Sequence, residues 1–257
     1  MNSTSKILIY SVVILFSCNG SLSSEGPNSN ITRDDAGKIV SGEVTQYAES
    51  GKLASIYNVK DYKLHGEGLK YYDDGTTLRS ELNYNMGKLD GLQKRYYESG
   101  ALYKEELYVA GKRHGLTKKY RESGLLMTEA VYKQGQPGTE LREYLTDGSL
   151  KKKYPSIVIE EIDKLRSTGV FTLRISMSDE TKKVDYYIGE LDENVFFSDD
   201  LKQQNNVNDG VLELSFFLKP ASLLEEEISI VARMPTRLNN SFITSTKYSL
   251  FIQTPRN

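Results

Sequence analysis

The sequence predicts an all-β protein in two parts: an elongated antiparallel sheet of repeated β-hairpins over residues 39–154, then a β-sandwich of Ig-like architecture over residues 155–257. Three observations carry this. Glycines Gly51, Gly75, Gly100, Gly124 and Gly148 recur at intervals of 24, 25, 24 and 24 residues. A second series, Gly42, Gly66, Gly91, Gly115 and Gly138, keeps step with them. A fixed period of this size means stacked supersecondary units, none able to bury its own face alone. After Pro155 the period stops, and short segments of alternating apolar and polar residues take over, as expected of strands with one face on a core.

Within the repeats, Gly91 to Tyr97 is a short run rich in aromatics, Glu98-Ser99-Gly100 is a turn, and Leu102 to Tyr108 is a second run. Two such runs joined through a glycine read as a β-hairpin, the glycine supplying the positive φ of the turn. The segment Ala110 to Gly115, matched by Met86 to Gly91, reads as the next turn, so hairpin follows hairpin in a meander. Two strands per unit at ~4.8 Å give about 10 Å per unit, and five units a ribbon of about 50 Å.

The motifs Tyr-x-x-Gly-Lys-x-His-Gly (Tyr108 to Gly115), Tyr-x-x-Gly-Lys-x-Asp-Gly (Tyr84 to Gly91) and Tyr-Tyr-x-x-Gly-x-Leu (Tyr96 to Leu102) resemble the bacterial MORN-repeat-variant family, often labelled YwqK-family antitoxin. The resemblance runs from Gly42 to Tyr154 over about five units. It implies a MORN-type sheet that binds partners and has no catalytic set, with toxin neutralisation as an alternative. The first unit departs, with Val59 where later ones have Tyr84, Tyr108 and Tyr132, and the last has Pro137 where others have His or Asp. Atypical terminal units are what a capped stack shows.

Two ladders run through the units. Tyr47, Tyr71, Tyr96, Tyr120 and Tyr144 close the first strands, and Leu53, Leu78, Leu102, Leu126 and Leu150 follow the turns. Either they pack unit on unit, or the tyrosines line a groove for a peptide, glycan or lipid. The candidate binding residues are therefore those five tyrosines, which leaves a glycan- or cell-wall-binding module as a further alternative.

The N-terminus carries an address. Lys6 precedes an apolar run, Ile7 to Phe16, about half the length of a membrane-spanning helix. Leu15-Phe16-Ser17-Cys18 resembles a bacterial lipobox, with the only cysteine of the chain at its end. That resemblance implies a signal peptide over residues 1–17 and acylation of Cys18, anchoring the protein in a bilayer, and Asn19 favours the outer membrane. Residues 18–38 read as a flexible tether. Ordinary signal cleavage, leaving a soluble exported protein, is the alternative.

With 33 basic and 35 acidic residues and no basic block beyond Lys151-Lys152-Lys153, nothing favours nucleic acid. His65 and His114, the only histidines, each precede a turn glycine where Asp90 stands in the unit between. They read as turn residues about 20 Å apart, too far to share a metal ion. No nucleophile elbow, phosphate loop or metal-ligand pair occurs, so no enzyme, cofactor or metal is expected.

In the second part, strands are expected at Phe171–Met177, Val184–Ile188, Leu212–Phe216, Ile228–Ile230 and Tyr248–Ile252. Ile157 to Leu165 fits a strand better than a one-turn helix. The oxygen-rich loop Asp192 to Asp209 reads as solvated, with calcium as the alternative, although its spacing is not that of an EF-hand.

Overall fold

A computed structural model describes residues 30–193 and 195–254. The expected signal peptide, Cys18 and most of the expected tether lie outside the described residues. Among the described residues the fold is all-β, with one four-residue helix, Leu165–Thr168. One large antiparallel sheet holds the strands before residue 144, and two four-stranded sheets form the rest.

The large sheet is a meander in which each long strand pairs with its sequence neighbours, from Ile39–Tyr47 to Leu126–Lys133. Thr32–Arg33, inside the stretch expected as tether, already pair with Ser41 and Ile39 at its first edge. The hairpin turn is one design repeated. Gly100 N–H donates to Tyr97 O at 2.9 Å and Tyr97 N–H to Ala101 O at 2.8 Å, and equivalent bonds close the turns at Gly51, Gly75, Gly124 and Gly148. Gly100 has φ +83° there, a conformation costly to a residue with a Cβ.

The connections between hairpins are tighter than the six residues expected. They are two-residue turns at Asp61-Tyr62, Met86-Gly87, Ala110-Gly111 and Gln134-Gly135, with φ positive at both positions, as type I′ hairpins need. Strand resumes at Lys63 and Lys112, so His65 and His114 lie in strands and not in turns. The second residue of each tight turn donates its N–H to the unit before: Gly87 to Leu64 O at 2.7 Å, Gly111 to Leu89 O and Gly135 to Arg113 O at 2.8 Å, and Tyr62 to Val40 O at 3.0 Å. Stacking is thus fixed by backbone bonds between units as well as by side chains.

The two faces of this ribbon differ. The inner face buries Ser55, Ser80, Gln93, Glu106, Thr117 and Thr128 beside Tyr57, Tyr84, Tyr108 and Tyr132. Tyr84, Tyr108 and Tyr132 stand opposite Gly66, Gly91 and Gly115. The second glycine series therefore leaves room for a ring on the neighbouring strand. Val59 faces Gly42 in the first unit.

The second part is a sandwich. Ile157–Lys164, Val170–Met177, Val211–Phe217 and Val207–Asn208 make one sheet; Lys202–Gln203, Asp185–Ile188, Leu223–Pro235 and Ser241–Gln253 make the other. Ile157–Lys164 is strand, and the helical turn follows it instead of replacing it. Alternation places Leu173, Ile175, Met177 and Leu212 against Tyr186, Ile230 and Leu250, all nearly inaccessible. A second cluster, of Tyr187, Leu191, Phe197, Leu201, Val231 and Ile243, lies on the other face of the second sheet.

Ribbon and sandwich share a core. Ala130, Tyr132 and Leu141 belong to the same buried cluster as Phe171 and Met234, and Tyr154 stacks on Phe242 with centroids 4.9 Å apart. The loop expected to be solvated grips the last repeat. Thr139 N–H donates to Val195 O and Phe197 N–H to Pro137 O, both at 2.9 Å, and Lys133 bridges Asp192 at 2.8 Å and Glu193 at 2.9 Å.

Candidate functional site

The tyrosine ladder lies on the outer face of the ribbon. Cross-strand pairs on that face put Glu81, Lys94, Glu105, Lys118, Glu129 and Arg142 side by side on six successive strands. Their signs alternate at every step. Lys94 Nζ is 3.3 Å from Glu81, and Lys118 and Arg142 are 3.9 and 4.0 Å from Glu129. Opposite charges directly across a sheet stabilise it, each pair by about 0.2–1 kcal/mol.

The tyrosine hydroxyls end on this charge row. Tyr96 donates to Glu81 at 2.7 Å, Tyr120 to Glu105 at 3.0 Å and Tyr144 to Glu129 at 2.8 Å. Burial, then the bond to Glu81, holds the Tyr96 phenol well above its ordinary pKa. Burial, then Glu105, pushes that of Tyr120 to about 12. Tyr47 and Tyr71 are half-buried members of the same row. Next to each ladder residue, a neighbour reaches forward one unit: Tyr72 to Tyr96 O at 2.6 Å, Tyr97 to Tyr120 O and Arg121 to Tyr144 O at 2.8 Å. The ring row is thus committed to holding units together. On the other side of the charge row, Leu92, Leu107 and Leu116 stand 43%, 38% and 44% exposed.

The last member of the ladder has a different setting. Tyr144 lines a cleft of about 1080 Å³ between the end of the ribbon and the sandwich, with Arg121, Leu145, Lys153, Asp179 and Arg237 among its walls. At its floor Glu143, 4% exposed, accepts hydrogen bonds from Asn240 Nδ2 at 2.9 Å, from Lys151 Nζ at 3.1 Å and from the Thr236 hydroxyl. Burial alone would raise its pKa; the bonds from Thr236, Asn240 and Lys151 outweigh it and hold the carboxyl below the usual value. The backbone N–H of Glu143 donates to the Tyr154 hydroxyl at 2.8 Å. Lys119 Nζ donates to Asn240 Oδ1 at 2.8 Å, and burial, then Lys104, pulls its pKa down. The floor is therefore fixed polar structure. The rim, with Leu145 half exposed and Lys153 and Arg237 exposed, is open to a partner.

Among the described residues no group of three His, Cys, Asp or Glu is placed to hold a metal ion. Of the oxygen-rich loop, Asp192 is bound to Lys133, Asp199 to Gln136 and Asp209 to Lys182. The buried Nδ1 atoms of His65 and His114 have no hydrogen-bond partner. Sequence reasoning reached Tyr144 but not Arg121, Glu143 or Arg237. Glu143 and Asn240, 97 residues apart, carry no local signal of their pairing.

The model of the MORN repeat variant matches residues 40–61 and 89–110. The matches start 49 residues apart, two periods of the glycine series, and each covers a hairpin and ends on the first residue of the tight turn that follows it. The repeats point to a repeat-based binding role. No curated protein and no solved structure matches the chain.

Proposed function

We propose that this is a non-catalytic envelope lipoprotein, anchored in the outer membrane through acylated Cys18, that captures a protein partner at the junction of its ribbon and sandwich. The observation that carries the binding site is the cleft itself. Its walls come from both parts, and the shared core and the Glu143 clamp hold them in one geometry. A preformed cleft saves the ordering cost that a hinged pair of domains would meet on binding. The outer-membrane address rests on the lipobox-like Leu15-Phe16-Ser17-Cys18 and on Asn19. The glycan-binding alternative draws less support, because the hydroxyls of Tyr96, Tyr120 and Tyr144 are engaged by carboxylates. Toxin neutralisation is one form that partner capture could take.

Two measurements test this reading. Cys18→Ser should abolish fatty-acid labelling and move the chain from the membrane pellet to the soluble fraction; unchanged fractionation overturns the anchor. A photo-crosslinking amino acid placed at Arg237 or Leu145 in cells should give one discrete adduct, and the same probe at Phe217, on the sandwich surface away from the cleft walls, should give none. Equal labelling from all three positions, or from none, removes the cleft as the binding site.

A further inference from the structure

We propose that the outer face of the ribbon is a self-association surface that docks a second copy of this chain, face to face, about a two-fold axis running parallel to the strands between Leu102–Val109 and Lys112–Tyr120. The alternating charges alone need no partner, since five of them pair within the sheet and Glu105 accepts from the Tyr120 hydroxyl. The leucine row does. Leu92 lies directly across from Leu107, and Leu116 from Val131, so four apolar side chains stand on four successive strands beside the charge row. Leu92, Leu107 and Leu116 are about two-fifths exposed. Contiguous apolar exposure of this kind marks an interaction surface more often than it marks chance.

What identifies the occupant is the order of residues on the face. A two-fold axis along the strands keeps each row at its own height and reverses the order of strands. The charge row Glu81, Lys94, Glu105, Lys118, Glu129, Arg142 then meets its own reversal. Glu105 faces Lys118 of the second copy, Lys94 faces Glu129, and Glu81 faces Arg142: six residues, each opposite the other sign. The same operation sets Leu107 against Leu116 and Leu92 against Val131. In the third row it sets Tyr96 against Leu126 and Leu102 against Tyr120, since Tyr96 pairs with Leu102 and Tyr120 with Leu126 within the sheet. An axis passing through a strand would instead set Glu105 on Glu105 and Lys94 on Lys118. An axis one pair of strands earlier would set Glu129 on Leu69, the residue beside Glu81 on the preceding strand. Only the central axis gives all six charges a partner of the other sign, and such self-complementarity is what an isologous dimer requires.

The sandwich leaves this face open, because it docks on the inner one through Ala130, Tyr132 and Glu143. Six strands at ~4.8 Å by about six residues at ~3.3 Å give about 600 Å² per copy, near the lower bound for a specific interface. Twisted sheets pack at an angle of about 30°, so the pairs next to the axis, Glu105 with Lys118 and Leu107 with Leu116, make the closest approach. The expected complex is a weak, salt-sensitive dimer with a dissociation constant in the micromolar range.

A charge swap tests it. The full chain with Cys18→Ser is followed by analytical ultracentrifugation from about 1 to 200 μM, spanning a micromolar constant. It should pass from monomer to dimer. Glu105→Lys alone, and Lys118→Glu alone, should each set like charges across the axis and weaken the dimer at least about tenfold. An equimolar mixture of the two restores both cross-axis pairs and should associate as well as the parent. Either swap also disturbs the ladder within the sheet, so a second measurement stands beside it. Leu107→Cys and Leu116→Cys chains, mixed under mild oxidation, should form the 107–116 heterodisulfide faster than either forms a homodisulfide. A parent chain that stays monomeric throughout, single swaps that leave dimerisation unchanged, or random disulfide pairing each overturns the proposal.

Discussion

The hydroxyl of Tyr96 lies 2.7 Å from the carboxylate of Glu81, fifteen residues earlier in the chain. The same step links Tyr120 to Glu105 and Tyr144 to Glu129. It fails at Tyr71, where the residue fifteen positions back is Ile56, whose side chain offers no acceptor. Tyr96→Phe should therefore lose about 1.5–3 kcal/mol, the range for a hydrogen bond to a charged group, and Tyr71→Phe close to nothing. Tyr96→Ala should cost more, about 3 kcal/mol or above, because a ring is lost as well. Urea unfolding of the full chain measures all three, and equal losses at Tyr71→Phe and Tyr96→Phe would remove the carboxylate from the account.

The same bonds set the alkaline limit of the fold. Burial and a carboxylate neighbour raise the Tyr96 and Tyr120 phenols above the ordinary value of 10. A group whose folded pKa is raised contributes stability that is complete below its unfolded pKa and is lost as pH climbs through the folded one. Stability should thus fall from about pH 10 upward. Tyr96→Phe with Tyr120→Phe should flatten that fall without abolishing it, since Tyr84, Tyr186 and Tyr248 are also raised to about 12. An unchanged slope in the double variant would contradict this.

Two turn glycines separate strain from crowding. At Gly100 a Cβ would meet nothing within 4 Å, and only φ +83° opposes it; at Gly75 it would stand 2.8 Å from Lys52 Cβ and 3.0 Å from Leu53 N. Gly100→Ala should cost about 1 kcal/mol and Gly100→Val about 1–3. Gly75→Ala should exceed Gly100→Ala, because a backbone nitrogen has to move. Thermal melts in which Gly75→Ala is the milder change would refute the ordering.

Glu143 should govern the acid limit of the junction. Its carboxyl is held below the usual value, so its contribution is complete above the unfolded pKa of about 4.5 and is lost as pH falls through the folded one. Glu143→Ala should cost about 3–5 kcal/mol, because it strands Asn240, Thr236 and Lys151 beside a buried gap. Glu143→Gln should cost less and show a weaker pH dependence between about 3 and 5. Identical pH profiles for the parent and Glu143→Gln would show that the carboxylate is not what titrates.

The period, the turn glycines and the strand alternation were legible in the sequence because each rests on residues a few positions apart. Gly100 needs only its own φ to announce a turn. The tight turns were drawn too long, because Lys112 to Gly115 looks polar and turn-like while pairing puts it in a strand. In the hairpin Leu223–Pro235 and Ser241–Gln253, alternation marked only Ile228–Ile230 and Tyr248–Ile252; Val231 and Ala232 are both buried and so break the two-residue pattern. The cleft was the least legible feature. Its floor joins Glu143 to Thr236 and Asn240 across more than ninety residues, and no local pattern encodes such a pair.

The bonds from unit to unit also fix how this chain can change length. Tyr72 bonds the unit that follows, Gly87 bonds the unit before, and their equivalents repeat both contacts along the ribbon. A duplicated interior unit would find its partners already present on either side, while the last unit, welded into the sandwich by Tyr132 and Leu141, has only one neighbour of its own kind. Gene duplication can therefore lengthen the ribbon from within, in steps of about 10 Å, and leave both ends as they are. The distance at which such a protein holds its sandwich from the first strand becomes a ruler graduated in whole hairpins.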